Sequence, residues 1–172
     1  MTTRITHFIG GQSWTGTSVR TAPVFDPATG AAGKSVDLAS VTDVAAAVTV
    51  ASAAFTEWRE ISLTKRIQIL FAFRELLNAR KGELAEIITS EHGKVLSDAL
   101  GEITRGQEVV EFACGLGHLL KGGFSEQVSS GVDVHSVRQP LGVVAIISPF
   151  NFPAMVPMWF FPIALAAGNT VI

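Results

Sequence analysis

The sequence predicts an α/β fold: short strands first, then a run of helices, then the opening βα unit of a parallel sheet. Three observations carry that expectation. Residues 7–40 alternate short extended stretches with turn signals, and residues 41–121 show helical periodicity. Val143, Val144, Ala145, Ile146 and Ile147 then form an unbroken apolar run, mostly β-branched, followed by a helix-length apolar segment. Such a run without alternation is the mark of a strand buried on both faces of a parallel sheet.

The elements follow in order. Gly10-Gly11, Trp14-Thr15-Gly16 and Asp26-Pro27-Ala28-Thr29-Gly30 supply the residues that tight turns require. Lys34 to Leu38 alternates like a half-buried strand. Ser40 with Asp43 three residues on resembles a capping box, with Asp where Glu or Gln is usual. Behind it Val44, Ala47, Val48, Ala51, Phe55 and Trp58 share one helical stripe. A second helix is expected from Ser62, burying either Ile69, Phe73 and Leu76 or the neighbouring Leu70 and Leu77, with Arg66 and Glu75 outward. Leu84, Ile87 and Ile88 suggest a third, ending near Gly93. A fourth begins around Asp98 with Ile103, Val110 and Ala113 inward, while Glu102, Arg105, Glu108 and Glu111 mark another face. Gly115, Gly117 and Gly122-Gly123 close it. Residues 124–138 read as a polar two-stranded excursion turning at Gly131, with Val132, Val134 and Val137 on the return. After the strand at 143–147, a helix is expected from Pro153 to Ala167, stopped by Gly168-Asn169. Thr170-Val171-Ile172 then opens a second strand, so the βαβ unit is expected to remain open.

Composition excludes several classes. The 172 residues carry 13 Lys+Arg and 15 Asp+Glu, a net charge of −2, which argues against a basic nucleic-acid binder or a polybasic membrane-surface protein. A single cysteine cannot form an internal disulfide, and the polar segment from Met1 to Phe8 lacks a signal-peptide core; a cytoplasmic protein is expected. Only 16% of residues are charged, and none lies beyond Arg138. That uncharged stretch admits two readings, a membrane span or a buried α/β core. Pro149, Pro153, Pro157 and Pro162, with Asn151 and Asn169 at either side, favour the core. His7, His92, His118 and His135 lack metal-ligand spacing, and no metal is expected.

The block Pro149-Phe150-Asn151-Phe152-Pro153, with Gly168-Asn169-Thr170 downstream, resembles the start of the cofactor domain of the aldehyde dehydrogenase superfamily. Arg138 to Val144, Ala154 to Trp159, Val109 to Gly115, His118 to Gly122 and Glu91-His92-Gly93-Lys94 are similar to its CoA-acylating methylmalonate-semialdehyde branch. Ile146 departs from that branch, where a glycine is common. The resemblance implies the N-terminal part of the family's fold: residues 1–123 as N-terminal strands and helices, 124–140 as oligomerisation strands, and 141–172 as the incomplete beginning of a Rossmann-like NAD-binding sheet. It further implies a tetrameric, NAD-dependent enzyme. Such an enzyme oxidises malonate or methylmalonate semialdehyde through a cysteine thioester that coenzyme A resolves, giving acetyl-CoA or propionyl-CoA and carbon dioxide. The nucleophile is expected beyond Ile172, and a chain ending there to be inactive; the alternative is a non-catalytic remnant or assembly partner.

Asn151 is the first candidate for chemistry. At the carboxyl end of a buried strand its amide would donate to the oxyanion formed as a thiol adds to an aldehyde; alternatively it caps the following helix. By resemblance Ser148 and Phe150 touch NAD, although Phe150 also suits a core, and no Gly-x-Gly-x-x-Gly announces a dinucleotide. Phe152 and Trp159 either line the aldehyde channel or pack. Arg105 either clamps the substrate's distal carboxylate, as the resemblance implies, or pairs with Glu102 or Glu108 on the helix surface. Cys114, near the end of its helix and without a Gly-Gln-x-Cys context, reads as a buried structural thiol.

Overall fold

The computed structural model describes residues 3–172; Met1 and Thr2, where the polar N-terminal segment begins, lie outside the described residues. Strand β1 (Thr3–Ile5) pairs in parallel with β5 (Ala32–Asp37), which pairs antiparallel with β4 (Thr21–Phe25). Between them β2 (His7–Ile9) and β3 (Gln12–Trp14) form a hairpin through Gly10-Gly11. At the Asp26 turn the carboxylate accepts the Ala28 N–H at 2.8 Å and the backbone carbonyl accepts the Gly30 N–H at 2.7 Å.

Helix α1 (Val41–Trp58) starts on the complete capping box. Ser40 Oγ accepts the Asp43 N–H at 3.1 Å, and Asp43 accepts the Ser40 N–H at 2.8 Å. The second carboxylate oxygen of Asp43 accepts the Thr17 N–H at 2.7 Å, tying the N-terminal loop to the helix. The Thr17 and Ser40 backbone N–H groups hold that carboxyl far below the usual range. Of the expected stripe, Ala51 is buried and Ala47, Phe55 and Trp58 are half-buried, whereas Val44 and Val48 are exposed. The helix docks at Ala51, whose carbonyl accepts from Thr170 Oγ1 at 2.9 Å, and at Trp58, whose Nε1 donates to the Leu165 carbonyl at 3.1 Å.

The expected second and third helices are one, α2 (Leu63–His92), 30 residues long. The stretch between them offers only Gly82, which a helix tolerates at a cost of about 1 kcal/mol. Leu70 and Leu77 face inward together with Ala85 and Ile88, leaving Ile69 and Leu76 exposed. The helix ends at Gly93, whose φ of 85° sends the chain back; a Cβ there would also lie 2.8 Å from Pro27. Helix α3 (Leu96–Cys114) then buries Ile103, Val110 and Ala113 as expected.

The antiparallel hairpin β6 (Phe124–Ser129) and β7 (Val132–His135) is exposed along its whole length, and Val137 falls beyond it. Strand β8 (Val143–Val144), helix α4 (Met155–Ala166) and parallel β9 (Thr170–Val171) complete a βαβ unit that the sequence was expected to leave open. β8 is shorter than expected and half-buried: it has one neighbour strand, and Ile147 just past it is 97% exposed.

Helix α4 explains two charges that were expected on the surface. It has no charged residue and no hydroxyl or carboxylate at its N-cap, Ala154, yet its ends carry unpaired N–H and C=O groups and the helix dipole. Glu102, whose side chain is fully buried, accepts the Ala154 and Met155 N–H groups at 2.7 and 3.1 Å. At the other end the buried Arg66 donates from Nε to the Ala166 carbonyl at 3.1 Å and from Nη1 to the Ile61 carbonyl. Both side chains point inward and give the uncharged helix an anion at its start and a cation at its end, the arrangement its dipole favours. No helix among the described residues is long and apolar enough to cross a membrane.

Close packing of α3 on α4 depends on Gly106. A Cβ there would overlap the Met158 methyl and lie 3.1 Å from its sulfur, and Met158 is only 4% exposed. Alanine gains roughly 1 kcal/mol in helix propensity, but overpacking typically costs about 1–3 kcal/mol. Gly106→Ala should therefore lower the urea unfolding midpoint; a raised midpoint would show that the interface yields.

Candidate active site

The site forms where α2 ends, α3 begins its second turn, and the loop after β8 passes over both. The turn at Gly93 delivers Lys94 beneath that loop. Lys94 Nζ donates to Glu102 Oε2 at 2.6 Å and to the Asn151 backbone carbonyl at 2.9 Å, and lies 4.5 Å from the centre of the Phe152 ring. The ion pair is buried, with 10% and 0% of its two side chains exposed. Burial pushes the Glu102 carboxyl up, but Lys94 and the two helix N–H groups outweigh it and hold the group below the usual carboxylate range.

Above this pair lies a cleft of about 520 Å³ lined by His92, Lys94, Ser97, Asp98, Gly101, Glu102, Arg105, Asn151 and Phe152. Asn151, Phe152 and Arg105, three of the expected site residues, thus meet in one place. The Asn151 side chain makes no hydrogen bond among the described residues and does not cap α4, since Glu102 fills that role. Arg105 is exposed and makes no ion pair among the described residues, so the expected surface pairing with Glu102 or Glu108 is not formed. Asn151 offers an N–H donor and Arg105 a guanidinium fork to whatever enters the cleft.

The remaining candidates lie elsewhere. Phe150 is 91% exposed, so it is not a core residue; it borders a second hollow of about 370 Å³ lined with Val24, Leu84, Ile87, Ile88 and Pro153 among others. Ser148 is half-buried and Trp159 is 42% exposed on α4; neither lines the cleft. Cys114 is buried, and burial raises its thiol pKa, with Glu111 adding to the effect and Arg74 opposing it, so it is a poor nucleophile.

A dinucleotide fits this unit in part. The carboxyl end of parallel β8 is open, with Ile147 and Phe150 exposed, which is where ligands bind in open α/β sheets. The start of α4, which in a simple dinucleotide fold would receive the pyrophosphate, is instead filled by the Glu102 carboxylate. Ser148 and Phe150 lie in the segment that follows the carboxyl end of β8, and the start of α4 offers no free N–H pair to a phosphate.

Lys94 and Glu102 stand at the centre of the site although neither is among the site residues the sequence predicts. Their signal was indirect: a buried, uncharged helix start with no capping residue of its own favours an acceptor from elsewhere in the chain.

The aldehyde dehydrogenase family model matches residues 14–172. A malonate-semialdehyde dehydrogenase of Pseudomonas aeruginosa is 46% identical over 96% of this chain and 33% of its own length. The acylating, mitochondrial methylmalonate-semialdehyde dehydrogenase of Arabidopsis thaliana is 44% identical over all of this chain and 28% of its own. The crystal structure of methylmalonate-semialdehyde dehydrogenase from Oceanimonas doudoroffii superposes with a TM-score of 0.95 at 48% identity, over 99% of this chain and 35% of that one. A Sinorhizobium meliloti 1021 protein complexed with NAD and provisionally given the same name superposes at 0.97, with 46% identity over 99% and 35% of the two chains. The chain spans about a third of the length of these relatives and matches the N-terminal part of the family's structures. With a family model matched over nearly its whole length, the chain belongs to the aldehyde dehydrogenase family.

Proposed function

We propose that this chain serves the NAD-dependent oxidation of malonate or methylmalonate semialdehyde, with coenzyme A accepting the acyl group to give acetyl-CoA or propionyl-CoA and carbon dioxide. The observation that carries this reading is the meeting of an unpartnered Asn151 amide and an unpaired Arg105 guanidinium in one cleft. A semialdehyde of this class has a carbonyl at one end and a carboxylate at the other, and the two side chains match those two ends. The names of the relatives at 44–46% identity support the same substrates.

In this reading Asn151 donates to the oxygen as negative charge develops on it, and Arg105 holds the distal carboxylate by a bidentate pair. Phe152, held over Lys94, borders the aldehyde's path in the cleft, which Trp159 does not reach. Ser148 and Phe150 would hold NAD, which would supply the hydride acceptor when bound. The β6–β7 hairpin, exposed throughout and carrying Phe124, Val128, Val132 and Val134, is read as a tetramer contact within 124–140, between the N-terminal part (1–123) and the start of the NAD sheet (141–172). The lone buried thiol fits a reducing, cytoplasmic setting.

Substrate discrimination tests this proposal. In the active enzyme containing this chain, Arg105→Leu should raise KM for malonate semialdehyde roughly 10- to 100-fold, as expected for a hydrogen-bonded charge pair of about 1.5–3 kcal/mol. KM for acetaldehyde or propionaldehyde should not change. An equal loss on both kinds of aldehyde would sink the clamp. The 172-residue chain by itself should form no NADH from malonate semialdehyde, coenzyme A and NAD, because its single cysteine is buried with a raised pKa. Turnover by that chain would show that Cys114, or chemistry without cysteine, does the work.

A further inference from the structure

We propose that the buried Lys94–Glu102 pair is the positioning element of the site: it fixes the backbone of the 151–155 loop and thereby aims the Asn151 amide into the cleft.

The loop lies outside any strand and has no capping side chain of its own, yet three of its backbone groups converge on two side chains. The Asn151 carbonyl takes a hydrogen bond from Lys94 at 2.9 Å, and the Ala154 and Met155 N–H groups donate to one Glu102 oxygen. Pro153, between them, has no N–H to offer. Lys94 Nζ joins the two halves through its 2.6 Å bond to the other Glu102 oxygen and lies against the Phe152 ring. A bond to the Asn151 main chain leaves that residue's amide free, as an oxyanion donor requires. A charged pair is costly to bury, and well-packed apolar residues usually serve stability as well or better. Here both charges are turned toward one loop, which fits positioning.

The inference rests on the proposed role of Asn151, so its test separates the two. Lys94→Met and Glu102→Gln are made in the active enzyme, alone and in an Asn151→Ala background. Glu102→Gln keeps an acceptor for the α4 N–H groups, so the fold is retained while the ion pair is lost. Each should lower kcat about 10- to 100-fold, the scale of a misplacement near 1 Å, with the KM for NAD unchanged. In the Asn151→Ala background the further loss should nearly vanish, because there is no amide left to aim. An undiminished further loss there would overturn the proposal. Deuterium exchange over residues 151–156 provides a readout independent of activity, expected to speed about tenfold or more in Lys94→Met. Unchanged exchange overturns the positioning role whatever the kinetics. Faster exchange together with an Asn151→Ala enzyme of normal kcat would uphold the positioning and sink the role given to Asn151.

Discussion

Asn151→Ala should lower kcat for semialdehyde oxidation by about 10²–10³, the usual consequence of deleting one oxyanion donor, while KM changes little. The split is the informative part. A hydrogen bond that strengthens only as charge builds on the carbonyl oxygen contributes to the transition state and not to the bound aldehyde. Asn151 is suited to that role because its side chain has no other partner among the described residues and its main chain is anchored through Lys94. Asn151→Asp should fall further, since a carboxylate places negative charge where the oxyanion forms. Steady-state kinetics on both variants decides the matter: a rise in KM with kcat unchanged would make Asn151 a simple binding residue.

Glu102→Ala should be the most damaging single change to stability, costing about 3–5 kcal/mol by breaking a buried ion pair. Two losses coincide: Lys94 keeps its charge with no carboxylate beside it, and the Ala154 and Met155 N–H groups lose their acceptor. The combination Lys94→Met with Glu102→Gln removes both charges and retains an acceptor, so it should lose less than half as much. Urea unfolding of the three proteins measures the difference, and equal losses would mean that the charge balance is irrelevant. The pH dependence follows the same pair. The folded Glu102 carboxyl lies below its unfolded value, so its contribution is fully present above roughly pH 4.3 and is lost as pH falls through the folded value. Glu102→Gln should therefore flatten the acid limb of the stability profile; an unchanged limb would assign acid sensitivity to other carboxylates, with Asp43 at the α1 cap the next candidate.

Much of the local structure was legible because its causes are local. The Ser40–Asp43 capping box, the Gly93 helix stop and the inward Ile103, Val110 and Ala113 depend on neighbours within a turn or two, and the structure shows each of them. Helix α2 has two candidate faces, Ile69–Leu76 and Leu70–Leu77, that differ by one residue, and only the packing of α3 and α4 selects the second. Strand β8 is shorter than the apolar run 143–147, since such a run records what a strand is suited to and not how many partners it has.

For the site, the sequence by itself determined which groups are available: an amide after the β8 strand, a guanidinium on α3, aromatic residues beside them, and a tail without charge. It also determined the family, through the Pro149–Pro153 block and its flanks. The tertiary structure alone decided that Asn151, Phe152 and Arg105 share a cleft while Trp159 and Ser148 do not line it. It also decided that Arg66 and Glu102 turn inward. The physical reason lies in α4, whose ends have orphan backbone groups and a dipole but no charged residue to answer them. The partners come from 52 and 100 residues away in the chain, where helical periodicity had assigned them to solvent. Periodicity reports the face a helix turns to its neighbours; it cannot report that a neighbour needs a charge.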